Sequence, residues 1–202
     1  MAVKKSLLLL VLLAALVSVL SAQTTPAALT PNALYVGAQP TTVNPDWGCP
    51  KSSPFSCWSR QLFGVEAYAG INHIWNRVGL EGQARWLSWR GVQLPTGNLK
   101  EDTYVIGPTF HIYTWRSLSA GGNFLVGTGS ITIPKGFGPG QGNYFVYNPS
   151  VHINQRVTQA ITVRYEYEYQ MWPGFTGTLG THGLTPNGLG VGVTYRIGPR
   201  VY

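Results

Sequence analysis

Between Ile161 and Met171 the chain reads ITVRYEYEYQM, with an apolar or aromatic residue at every odd position and a polar or charged one at every even position. One face carries Ile161, Val163, Tyr165, Tyr167, Tyr169 and Met171, the other Thr162, Arg164, Glu166, Glu168 and Gln170. A period of two is that of a β-strand. Val78 to Trp89 repeats it, opposing Leu80, Ala84 and Trp86 to Glu81, Gln83 and Arg85. Phe63 to Asn72 sets Phe63, Val65, Ala67, Ala69 and Ile71 against Glu66, Tyr68 and Asn72. Gly188 to Ile197 sets Leu189, Val191, Val193, Tyr195 and Ile197 against Gly190, Gly192, Thr194 and Arg196. With Leu34 to Val43, Thr103 to Tyr113, Leu118 to Thr128, Tyr144 to Asn154, and the opening segment extended to Ala160 to Met171, eight strands are predicted.

The connections carry independent information. Those after the second, fourth and sixth strands (His73 to Arg77, Thr114 to Ser117, Gln155 to Gln159) are short. Those after the first, third, fifth and seventh (Asn44 to Leu62, Arg90 to Asp102, Gly129 to Asn143, Trp172 to Asn187) are long. An even strand number with this alternation predicts an all-β, antiparallel up-and-down transmembrane barrel, with short periplasmic turns, longer extracellular loops, apolar faces toward lipid and polar faces toward the lumen. A Greek-key sandwich gives no reason for such alternation. The third long connection, GSITIPKGFGPGQGN, is glycine-rich but opens no predicted helix, so it reads as a loop and not as a phosphate cradle.

A membrane barrel requires export, and the N-terminus supplies a signal for it. Lys4 and Lys5 precede an apolar run from Leu7 to Val17, and Ser21 and Ala22 are small residues suited to signal peptidase. The run is too short for a membrane helix, which needs about 20 apolar residues. The predicted organisation is a signal peptide over 1–22, a periplasmic lead-in over 23–33, the barrel over 34–197 and a tail over 198–202. Charged residues make up only 10% of the chain and aromatics 12%, beside 25 glycines, a composition unusual for a soluble domain with a polar exterior. The formal charge of +7 drops to +5 when Lys4 and Lys5 leave with the signal, and the remaining bases are scattered, so nucleic-acid binding is not supported.

Candidate chemistry is sparse. Cys49 and Cys57 are the only cysteines, and export to an oxidising compartment predicts that they pair. No His or Cys stands beside them at metal-ligand spacing, so neither a metal nor another cofactor is expected. The polar strand faces send Glu66, Glu81, Arg85, Arg164, Glu166, Glu168 and Arg196 into the lumen, four acids against three bases. An eight-stranded barrel is just wide enough for side chains to fill, so these groups are expected to interlock as a plug. Trp75, Tyr113 and Trp115 lie toward the short-turn side, and Trp86, Trp89, Tyr144, Tyr169 and Trp172 toward the long-loop side, as two interfacial girdles would require. Ser150 and His152 share a strand face, but a nucleophile and base without a third orienting group make a weak case for a lipid hydrolase. No enzyme is expected.

From Leu34 to Ile197 the chain resembles the small outer-membrane β-barrel proteins of the OmpA-like and OmpX-like eight-stranded type. The resemblance is carried by TYVIGPTFHIY from Thr103, FLVGTG from Phe124, YFVYNPSV from Tyr144, YEYEYQMWPGFTG from Tyr165 and GLTPNGLGVGVTYRI from Gly183. The last segment looks like the C-terminal signal read by the barrel-assembly machinery, which implies that role for Gly192, Tyr195 and Ile197, although the strand ends on Ile197 where the usual pattern has an aromatic. No peptidoglycan-binding domain follows it in this sequence. The expected partners are outer-membrane lipid, lipopolysaccharide and the assembly machinery, and no loop partner can be named. The expected role is structural or adhesive, through the outer loops. A narrow porin-like channel and a soluble lipocalin-like binder, with Tyr165, Tyr167 and Tyr169 turned inward, are the alternatives.

Overall fold

A computed structural model describes residues 33–45, 61–88, 100–132, 141–175 and 183–197. Through them run eight antiparallel strands: β1 (Ala33–Asn44), β2 (Leu62–Trp75), β3 (Val78–Ser88), β4 (Lys100–Trp115), β5 (Leu118–Thr132), β6 (Gln141–Arg156), β7 (Ile161–Tyr169) and β8 (Asn187–Ile197). Each pairs with its neighbours in sequence, and β1 pairs with β8 from Leu34↔Ile197 to Asn44↔Asn187, closing the barrel. Closure removes the sheet edges, so backbone donors and acceptors find partners within the wall.

Several strands outrun the period-two prediction. Both β2 and β4 continue to a tryptophan, so Asn76 and Arg77 alone join β2 to β3, and Arg116 and Ser117 alone join β4 to β5. Bulges between Ile71 and Trp75 and between His111 and Tyr113 absorb extra residues on β2 and β4 and let pairing resume. Each turn bends at a residue in the left-handed region, Asn76 and Arg116, both with φ of 54°. Asparagine adopts this conformation readily, whereas for most L-residues it costs about 1–2 kcal/mol. By contrast β7 stops at Tyr169, and Met171 makes an isolated bridge to Tyr147.

Three prolines coincide with gaps in the ladders. Pairing of β1 with β8 skips Gln39 and Pro40, that of β4 with β5 skips Gly107 and Pro108, and that of β6 with β7 begins just after Pro149. Proline has no N–H to donate, so the ladder breaks where it stands.

Alternation sorts the side chains by face. Val65, Leu80, Ile106, Phe124, Val151, Leu189 and Val191 are exposed on the outer wall, while Glu66, Glu81, Arg85, Glu101, Arg164, Glu166 and Glu168 are buried inside. Tyr165 and Tyr167 are each 45% exposed, so the inverted, lipocalin-like arrangement is not the one adopted. The interior has two parts. A charged network occupies the middle, and an apolar cluster lies at the mouth end, opposite the two-residue turns.

Candidate functional site

The middle of the lumen is organised around two guanidiniums. Arg164 on β7 grips Glu81 on β3 with both ends of its fork, Nη1 to Oε2 at 2.9 Å and Nη2 to Oε1 at 3.0 Å. Its Nε lies 3.0 Å from Glu166 Oε2, and its plane sits 4.5 Å over the Tyr68 ring. Such forked, charge-assisted contacts fix geometry as well as energy. Arg85, also on β3, bridges Glu101 on β4, Nη2 to Oε1 at 2.8 Å, and Glu168 on β7. Neutral donors supply further contacts to the carboxylates. Gln39 Nε2 donates to Glu66 at 3.0 Å and to Glu166 at 3.2 Å, and Gln83 Nε2 donates to Glu81 at 2.9 Å. Asn123 Nδ2 donates to Glu81 at 2.8 Å, Ser150 Oγ to Glu166 at 2.6 Å, and the Tyr35 hydroxyl to Glu81.

Seven strands, β1 to β7, contribute to these contacts, so the network ties the wall together across its diameter. It needs small residues opposite. A Cβ on Gly192 of β8 would lie 2.3 Å from both the Ala38 carbonyl and Gln39 Cβ, so glycine there makes room for the β1 backbone and for Gln39.

The mouth is built differently. Val43, Leu62, Leu87, Val105, Leu125, Ile131 and Val146 from the wall meet Trp172, Phe175 and Leu184 from the chain between β7 and β8. Trp172 is 0% exposed, its backbone bridges Leu184, and its Nε1 donates to Gln170 Oε1 at 2.9 Å. Gly183, with φ of 78°, sits so close that a Cβ would lie 2.5 Å from the Trp172 carbonyl. This close approach to Trp172 therefore depends on glycine at this position.

The residues singled out from sequence are distributed as follows. Glu66, Glu81, Arg85, Arg164, Glu166 and Glu168 come together in the lumen. Arg196 does not: it has the inward parity of β8 but is exposed one residue from the strand's end, although its cross-strand neighbour Tyr35 is buried. Glu101, which the sequence left in a connection, takes a place in the network. Extending the alternation of Thr103 and Val105 back by two residues would have found it. The lumen thus holds five carboxylates against two guanidiniums, not the near balance expected.

Of the proposed girdle, Trp75, Trp86, Tyr113, Trp115 and Tyr169 are exposed on the outer wall. Trp172 is instead inside the mouth, and Tyr144 packs against it and against Phe175, with ring centroids 6.1 and 5.2 Å away. Tyr144 shares parity with the buried Val146 and Asn148, which is what turns it inward. Trp89, Cys49 and Cys57 lie outside the described residues. Ser150 and His152 face the lumen, the first bonded to Glu166 and the second accepting from Arg164 Nη2 at 3.0 Å, so the outer wall does not present them to lipid.

No protein-family model and no curated protein matches the chain by sequence. Solved structures do. Neisserial surface protein A matches with a TM-score of 0.56 and 12% identity, over 82% of this chain and 97% of that one. The outer membrane protein OprG from Pseudomonas aeruginosa matches at 0.54 and 9%, over 83% and 97%. Ail, the attachment invasion locus protein of Yersinia pestis, solved with the heparin analogue sucrose octasulfate, matches at 0.50 and 15%, over 82% and 97%. At such identities the likeness is one of architecture, and the chain has the fold of the small eight-stranded outer-membrane β-barrels.

Proposed function

We propose that the chain is exported and resides in the outer membrane as a barrel with a closed lumen, serving the envelope structurally or engaging surface partners through the connections at its mouth, without catalysis. The observation that carries this reading is the exchange of inside and outside: apolar side chains are exposed around the wall, and the charged ones are buried within it. Water would penalise that wall, whereas lipid accepts it. Exposed Trp75, Tyr113 and Trp115 toward the short turns, with Trp86 and Tyr169 toward the mouth, suit the two interfaces. Outer-membrane lipid and lipopolysaccharide are then its surroundings. The assembly machinery would read Gly192, Tyr195 and Ile197 on β8.

The test is migration of unboiled and boiled protein on SDS gels after the chain from Gln23 onward is refolded into micelles or liposomes. A heat-dependent shift is expected. Absence of the shift, together with solubility without detergent, would overturn the reading. In planar bilayers the filled lumen and the apolar mouth together lead us to expect no unitary current. Steady current would replace the closed barrel with a narrow channel.

A further inference from the structure

The short-turn rim belongs to neither interior region, and it is basic. Arg77 and Arg116 sit in the two-residue turns, Arg156 ends β6, and Arg196 is the last residue but one of β8. The strand order therefore spreads them around the rim. Backbone hydrogen bonds anchor their positions: His111 N donates to Arg77 O at 2.8 Å, Arg156 N to Ser117 O at 2.7 Å, and Arg196 N to Ala160 O at 2.8 Å. Arg116, Arg156 and Arg196 are exposed, and among the described residues none of the four is paired with a carboxylate. The acids of the chain are elsewhere. Glu66, Glu81, Glu101, Glu166 and Glu168 are in the lumen, Asp102 is near the mouth end of β4, and Asp46 belongs to the sequence between β1 and β2.

Two further observations point to a ligand. All four bases are arginine, whose planar fork matches phosphate oxygens, whereas the sequence of the opposite connections mixes Lys51 and Lys135 with Arg60 and Arg90. Arg116 also holds a left-handed φ of 54° that asparagine or glycine would adopt more easily, and its guanidinium carbon stands 5.3 Å from the Trp115 ring centroid. A strained position is thus occupied by a long cation held against an outward aromatic. Trp75, 78% exposed, stands two residues before Arg77, whose Nη1 donates to the Ile112 carbonyl at 3.4 Å.

We infer that this rim binds the phosphate groups of anionic phospholipids in the leaflet that the short-turn end reaches. The inference rests on the membrane reading above. The tryptophans set depth at the interface, and the arginines stand just beyond it, at the level of the head groups. A basic residue near an anionic lipid surface strengthens association by about fivefold.

The experiment uses the chain from Gln23 onward, refolded into mixed vesicles of phosphatidylcholine and phosphatidylglycerol, with brominated acyl chains on one lipid and then on the other. Quenching of the outward tryptophans reports which lipid lies against the barrel. The native chain is expected to prefer phosphatidylglycerol severalfold. The Arg77→Gln, Arg116→Gln, Arg156→Gln, Arg196→Gln variant is expected to lose most of that preference while keeping its heat-dependent gel shift. Equal quenching by both lipids in the native chain, or an unchanged preference in the variant, would overturn the inference and leave the membrane barrel standing. Quenching by neither lipid, without a gel shift, would overturn the membrane reading itself. Loss of the preference on adding inorganic phosphate at constant ionic strength would assign the rim to free phosphate and overturn the lipid assignment. Should the fourfold variant fail to refold, Arg156→Gln with Arg196→Gln, which leaves both two-residue turns intact, carries the same test with a smaller expected loss.

Discussion

The middle of the lumen and its mouth are filled by opposite chemistry within one barrel. In the middle, Arg164 and Arg85 hold four carboxylates from three strands, with amides and hydroxyls supplying further donors. At the mouth, Trp172, Phe175 and Leu184 cover a ring of aliphatic side chains. The first arrangement is directional: each partner is needed because a buried charge left alone is costly. The second depends on volume and area, and it tolerates exchange among apolar residues of similar size. One barrel interior can thus be held in two ways, by pairing and by packing, and the two regions should fail differently.

The largest effect is expected from Arg164→Met. It leaves Glu81 and Glu166 without their guanidinium in the interior, and should lower stability by roughly 3 to 5 kcal/mol, read from urea unfolding of the refolded barrel in vesicles. A loss smaller than that from truncation at the mouth would break the distinction drawn above. Next comes Trp172→Ala, which removes a fully buried indole and should cost about 3 kcal/mol by the same measurement. Because the network still fills the lumen below, this variant should remain non-conducting in planar bilayers, and appearance of current would mean that the mouth alone is the seal.

Glu166→Gln keeps shape and one acceptor oxygen, and Arg164 retains its fork on Glu81, so a loss of about 1 to 2 kcal/mol is expected. Leu125→Met, a swap of similar volume at the mouth, should change stability by less than about 1.5 kcal/mol. If Leu125→Met costs as much as Glu166→Gln, packing at the mouth is as strict as pairing in the middle.

How much of this was legible beforehand follows from what alternation encodes. The parity of ITVRYEYEYQM assigns Arg164, Glu166 and Glu168 to the face opposite Tyr165, Tyr167 and Tyr169, and their burial and exposure follow it. Parity does not encode height along the barrel. Arg196 has the inward parity of Gly190 and Gly192 yet is exposed one residue from the end of β8, where the wall gives out. Glu101 was missed at the opposite end for the same reason. The alternation is weak beyond Thr103, and pairing with Ile131 on β5 carries the strand further. Trp172 lies past the end of β7, where no period remains to be read.

Local pattern is enough to specify strands with one apolar and one polar face, because a two-residue period needs no partner to be recognised. The tertiary structure alone decided which polar groups meet. Arg164 and Glu81 are 83 residues apart, and only closure of the sheet brings them to hydrogen-bonding distance. It also decided that Trp172 turns inward, where it bridges Leu184, twelve residues further along, and packs among the apolar side chains of the wall. Local pattern chooses a face, whereas register and closure choose the neighbour, and the energy of a buried charge depends on the neighbour.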